Sequence, residues 1–215
     1  MLNIMILNSL QLTMSSIFTF AIQFLLFSMA PFIWWKVTKP KEKFFTWLGF
    51  KKPKFNKKIF SLIIVFVIWY IFYNLDPEMF IDTTAMKESD ATVGNMFSNL
   101  GVWAIVPAII QSFFVQSITE ELLFRGFFAK RLINKFGFNI GNVIQGCLFG
   151  IMHIILFLLA GINVGVIGYI LVFLSTGVPA LILTYLNEKL FNKSIIPSIL
   201  VHGLGNFISY MMSAF

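Results

Sequence analysis

The stretch 102–126, VWAIVPAIIQSFFVQSITEELLFRG, decides how the rest of the chain is read. An apolar run over 102–118 leads directly into Glu120 and Glu121, and Arg125 follows one helical turn after Glu121. An ionised group inside a lipid-spanning helix costs about 2.5–3.5 kcal/mol on insertion scales, so it persists where it is paired and used. The only two histidines of the chain, His153 and His202, lie inside two further apolar runs. Ionisable groups on three apolar segments point to chemistry carried out within a membrane.

Composition agrees with that solvent. The chain is 58% hydrophobic and 12% charged, with a mean hydropathy of +0.86, whereas soluble domains carry about 25% charged residues. Runs able to cross about 30 Å of hydrocarbon as helices are read at 12–35, 59–75, 101–124, 138–160, 164–186 and 195–215. The expected fold is all-α, a polytopic membrane helical bundle of about six transmembrane helices forming one membrane domain overall. Residues 1–100 hold an N-terminal transmembrane pair with a basic cytoplasmic loop, and residues 101–215 hold the catalytic core.

Charge orients the spans. Lys36, Lys39, Lys41, Lys43, Lys51, Lys52, Lys54, Lys57 and Lys58 face only Glu42 in the first loop, while Asp76, Glu78, Asp82, Glu88 and Asp90 face only Lys87 in the second. The first loop is expected on the cytoplasmic side. The alternation then places Lys130, Arg131 and Lys135 inside, Lys189 and Lys193 inside, and both termini outside. The formal charge of +7 is a topology signal; no nucleic-acid motif accompanies it, and nucleic acid is not expected as a partner. The lipid bilayer is.

Other features are quieter. Residues 1–10 lack the positive start of a secretory signal, so no cleavage is expected there. Cys147 is the only cysteine, which excludes an intramolecular disulfide and a cysteine-cluster metal site. Gly161, Gly165 and Gly168 are expected to allow close helix approach.

Helix spacing sorts the polar residues of the second half. Residues four apart share a face, so Glu121 lies beneath Arg125 and His202 beneath Asn206, while Glu120 is turned about 100° from Glu121. Glu121 and Arg125 are expected to form a structural ion pair that leaves Glu120 free to face a cavity. Glu120, His153, His202 and Asn206 are the candidate catalytic residues. A carboxylate and an imidazole can activate a water, and an asparagine amide can donate to an oxyanion. Glu120, His153 and His202 equally make a two-histidine, one-carboxylate ligand set for a zinc ion with an open position. The cofactor is thus either none that is obligatory or one zinc ion; with no HExxH helix, the metal-free arrangement asks less of the three helices. Carboxylates and histidines in spans also build proton relays, so a proton-coupled membrane carrier is a competing function.

The three motifs, Glu120-Glu121-x-x-x-Arg125-Gly126, Phe149-x-x-x-His153 and His202-x-x-x-Asn206, occur in apolar helices in an order that resembles the CAAX protease and bacteriocin-processing (Abi) family of intramembrane proteases. The approach 191–202, FNKSIIPSILVH, is similar to that family's lead into its last motif, and the resemblance covers about 107–210. It implies an intramembrane endopeptidase cutting a membrane-associated peptide or protein substrate, with Glu120, His153, His202 and Asn206 at the active-site positions. It also implies either a metalloprotease or a glutamate-type mechanism. Eukaryotic relatives process prenylated CAAX proteins; bacterial ones are linked to bacteriocin immunity and peptide maturation, which makes a self-immunity protein acting by binding the alternative. Composition favours a bacterial cytoplasmic membrane.

Overall fold

Runs of leucine, isoleucine and phenylalanine between glycine and proline punctuation fold as helices. A computed structural model describes residues 2–54, 60, 64 and 93–215, and the regular structure within them is helical. The principal helices are α1 (Leu2–Thr38), the short α2 (Phe44–Leu48), α3 (Gly101–Phe136), α4 (Phe138–Leu159), α5 (Gly165–Leu190) and α6 (Ile196–Ser213). Among the described residues α1, α3, α4 and α5 are long and apolar enough to cross a membrane. The chain is an all-α polytopic bundle. α6 fills the sixth expected span but is shorter, at 18 residues, and carries Ser198, His202, Asn206 and Ser209. Apart from Phe60 and Ile64, the second expected span at 59–75 lies outside the described residues, as do Asp76, Glu78, Asp82, Glu88 and Asp90.

One boundary differs from expectation, and one helix runs on past its apolar span. α1 begins at Leu2 and not near residue 12, because LNIMILNSLQ contains neither glycine nor proline to stop it. α3 continues to Phe136 and ends at Gly137, whose φ of 79° breaks the helix before α4.

The interior of α3 is not uniformly α-helical. Ordinary turns at Ile105–Ile109, Thr119–Glu121 and Lys130–Phe136 alternate with π-wound stretches at Ile110–Ile118 and Leu122–Ala129. Such i→i+5 winding concentrates at functional sites, and here it brackets Glu120 and Glu121.

Two of the expected glycines, Gly161 and Gly165, do not supply close helix approach. Gly161 and Gly165 sit in the α4–α5 turn with φ of 71° and 65°, and a Cβ on either would meet nothing within 4 Å. They serve the turn, where Asn163 Oδ1 accepts from the Gly165 N–H at 3.0 Å. The crossing itself uses Gly146, Gly150 and Gly177: a Cβ on Gly177 would lie 3.1 Å from the Gly146 carbonyl, and one on Gly150 2.9 Å from the Phe173 carbonyl. Small residues let helix backbones touch where lipid gives no hydrophobic push between them. Asn142 and Gln145 then donate across to the carbonyls of Leu181 and Ala180, each at 3.1 Å.

The two ends of the bundle are chemically distinct. At one end the first loop is joined to the α5–α6 turn: the Ile195 N–H donates to the Gly49 carbonyl at 3.0 Å and Ser194 Oγ to the Lys51 carbonyl at 2.6 Å. Lys130 Nζ binds Glu188 at 2.7 Å and the Lys193 carbonyl at 2.9 Å in the same place. Basic segments far apart in sequence therefore gather at one end. At the other end the Gly101 N–H donates to the Ala214 carbonyl, and Phe97 stacks on Tyr210 at 4.7 Å.

Candidate active site

α3 and α6 are brought together by the absence of a side chain. A Cβ at Gly203 would fall 2.4 Å from the Phe113 ring, and beside it Ser117 Oγ donates to the Ile199 carbonyl at 2.6 Å. That contact carries His202 into reach of the two glutamates.

Glu121 is completely buried, paired with Arg125 and accepting from His202. Its Oε1 lies 3.2 Å from Arg125 Nη1 and 3.0 Å from His202 Nδ1. The ion pair expected within α3 is present, and the carboxylate also holds an imidazole on another helix. Arg125, 2% exposed, lies with its guanidinium carbon 4.3 Å from the centre of the Phe149 ring. Removing either partner would strand a charge in a dry interior, which typically costs about 3–5 kcal/mol.

This arrangement fixes which nitrogen of His202 donates. A carboxylate only accepts, so Nδ1 carries the proton it donates to Glu121, and in the neutral ring Nε2 is left as an acceptor. Nε2 faces Glu120 Oε2 at 3.9 Å, with both side chains 16% exposed. That is too long for a direct hydrogen bond. Glu120 Oε2 is itself buried and has no hydrogen-bond partner.

His153 is held differently. Its Nδ1 donates to the Phe149 carbonyl at 2.9 Å, one turn back in α4, which leaves Nε2 unprotonated in the neutral ring. Phe149 contacts both histidines, its ring centre 4.5 Å from His153 and 6.4 Å from His202. Glu120, Glu121, Arg125 and His202 thus form one connected group, and His153 joins it through Phe149.

Asn206 has partners that sequence reasoning missed. Its Nδ2 donates to Gln116 Oε1 at 2.9 Å, and Tyr210 donates its hydroxyl to the same oxygen. One amide N–H of Asn206 is therefore used for orientation and the other remains to give. The signal for both residues is spacing: Gln116 precedes Glu120 by four residues and Tyr210 follows Asn206 by four.

Among the described residues no three histidine, cysteine, aspartate or glutamate side chains converge as a metal ion would need. In the set Glu120, His153 and His202, the first and last approach each other, while His153 bonds to the Phe149 carbonyl and packs on its ring. The residues do not fit a three-ligand metal centre in this conformation, and no step below runs through one.

A family description, type II CAAX prenyl endopeptidase Rce1-like, matches residues 102–208. Through that segment the chain belongs to the Rce1-like family. No curated protein and no solved structure matches it. The Rce1-like segment contains Gln116, Glu120, Glu121, Arg125, His153, His202 and Asn206, and it stops short of α1 and of Tyr210. Membership together with the apolar helices makes the protein an integral membrane protein of a protease family.

Proposed function

We propose that this chain is an intramembrane endopeptidase that hydrolyses peptide bonds of membrane-associated peptides or proteins, with Glu120 as general base. The observation that carries the reading is the 3.9 Å separation of Glu120 Oε2 from His202 Nε2, with the histidine locked by Glu121. A water oxygen can lie within about 2.6–3.2 Å of both atoms, giving one hydrogen to each. As that oxygen attacks the scissile carbonyl carbon, its proton passes to Glu120 and the carbonyl oxygen becomes an oxyanion. The free N–H of Asn206 donates to that oxyanion, and His153 contacts the peptide from the α4 side through Nε2. Glu120 then returns the proton to the leaving nitrogen as the C–N bond breaks.

The decisive test compares membrane peptides from cells producing the wild type with those from cells producing Glu120→Gln. Precursors that accumulate only with the variant are expected; identical peptide profiles would refute the reading and leave binding or transport in its place.

Asn206→Ala is expected to lower kcat by about a hundredfold with little change in KM, because an oxyanion donor acts in the transition state and not in the ground state. Steady-state kinetics on a membrane-anchored reporter peptide measure it, and a change confined to KM would remove Asn206 from the oxyanion role.

We further propose that the basic end of the bundle faces the cytoplasm. In a Cys147→Ser background, a cysteine at position 52 should be shielded from an impermeant thiol reagent in intact cells and one at position 86 labelled. The opposite pattern would turn the site towards the outer face.

A further inference from the structure

We infer that α1, which lies outside the segment shared with the family, is a working part of the site, and that its Gln23 is a positioning residue for Glu120. The inference rests on the peptidase reading only for its kinetic test.

α1 is built inside out. Its buried residues are Ser9, Ser16 and Pro31, while Leu7, Met14, Phe18, Leu25 and Met29 point outward. Between helices in lipid, small and polar residues make the contact and large apolar ones face the tails. Ser9, Ser16 and Gln23 are seven apart and form one stripe. All three donate to α3: Ser9 Oγ to the Trp103 carbonyl at 2.6 Å, Ser16 Oγ to Gln111 Oε1 at 3.0 Å, and Gln23 Nε2 to Thr119 Oγ1 at 2.9 Å.

The register of the last two contacts is informative. Seven residues separate Ser16 from Gln23, but eight separate Gln111 from Thr119. Helices running side by side can keep both contacts if α3 takes up one residue more over the same length. The π-wound stretch Ile110–Ile118 does this, because each i→i+5 turn accommodates an extra residue. α1 thus holds α3 at the start of this stretch, through Gln111, and just past its end, through Thr119.

Gln23 acts where that winding ends, at the ordinary turn Thr119–Glu121. Thr119 is fully buried; its hydroxyl accepts from Gln23 and donates to the Val115 carbonyl. The next residue is Glu120. One residue of register is about 100° of rotation, so releasing Thr119 lets Glu120 turn away from His202. No other part of the Gln23 side chain's role is explained by lipid contact, since an amide in an apolar helix is retained where it has a partner.

The test uses the full chain in lipid nanodiscs with a membrane-anchored reporter peptide. Gln23→Leu is expected to lower kcat roughly three- to tenfold with KM unchanged, the kinetic equivalent of one interhelical hydrogen bond. Thr119→Val should give the same loss, the double variant no further loss, and Thr119→Ser, which keeps the hydroxyl, wild-type values. Ser9→Ala is the control for docking alone and should lower the thermal midpoint without changing kcat. Hydrogen exchange of the amides at 115–121 gives a readout free of activity, faster in Gln23→Leu and unchanged in Ser9→Ala. Wild-type exchange and kcat in Gln23→Leu would overturn the inference, as would equal kcat losses in Gln23→Leu and Ser9→Ala. If the wild type cleaves no peptide, the peptidase reading fails while hydrogen exchange still decides the role of Gln23.

Discussion

Glu120→Gln is expected to reduce cleavage of a membrane-anchored peptide by about 10²–10⁴-fold, the share commonly supplied by a positioned general base. Glutamine keeps the size of the side chain and removes its basicity. Glu120 Oε2 has no hydrogen-bond partner, and Arg125 is ion-paired by Glu121, so the fold is not expected to depend on the charge of Glu120. The thermal midpoint of the purified variant in detergent should stay at the wild-type value. Retained cleavage by Glu120→Gln, free of wild type, would end the assignment of the base. A lost midpoint would show instead that the carboxylate holds the bundle together.

Glu121 should behave in the opposite way. Glu121→Ala removes a fully buried carboxylate that Arg125 and His202 share, and it is expected to destabilise the protein by about 3–5 kcal/mol as well as to abolish cleavage. The two losses can be separated. Replacing a buried ion pair by apolar residues of similar volume is often neutral, so Glu121→Leu combined with Arg125→Met should recover much of the stability. It should not recover activity, because His202 Nδ1 then has no acceptor and the ring is no longer held towards Glu120. Chemical unfolding and peptide cleavage on the same samples measure both. Full activity in the paired variant would reduce Glu121 to scaffold alone.

The difference between these two neighbours is partly legible in the sequence and partly not. Glu121 and Arg125 can be matched by counting residues along one helix, and the structure has that pair. The second partner of Glu121, His202, lies on another helix, and its reach depends on the close crossing at Gly203 and on the winding of α3, neither of which has a sequence period. Charged residues and histidines stand out in apolar runs because their presence there is costly; Gln116, Tyr210 and Gln23 are neutral and do not. The glycines make the same point. Gly161 and Gly165 look like a packing motif, but their positive φ angles belong to a turn, and the contact glycines of α4 and α5 are spread among large residues. The basic loops are legible as a group, since their gathering at one end follows from the alternation of spans.

The attachments at the two ends of α3 and α6 also limit how the site can move. Near Lys130 the two helices are tied through Lys193, and near Gly101 they are tied through Ala214, with Phe113 against Gly203 between these points. A beam fixed at both ends can bow but cannot swing. The distance from Glu120 to His202 is therefore the least adjustable length in the site, set before any peptide arrives. At the level of the site α4 meets this pair through Phe149, edge to face with Phe124 at 4.8 Å and 4.3 Å from the Arg125 guanidinium, whereas at Gly141 its backbone packs directly on Leu132 and Ile133. Under the peptidase reading, room for a peptide is expected from displacement of the wall that carries His153, while Glu120 and His202 keep their spacing.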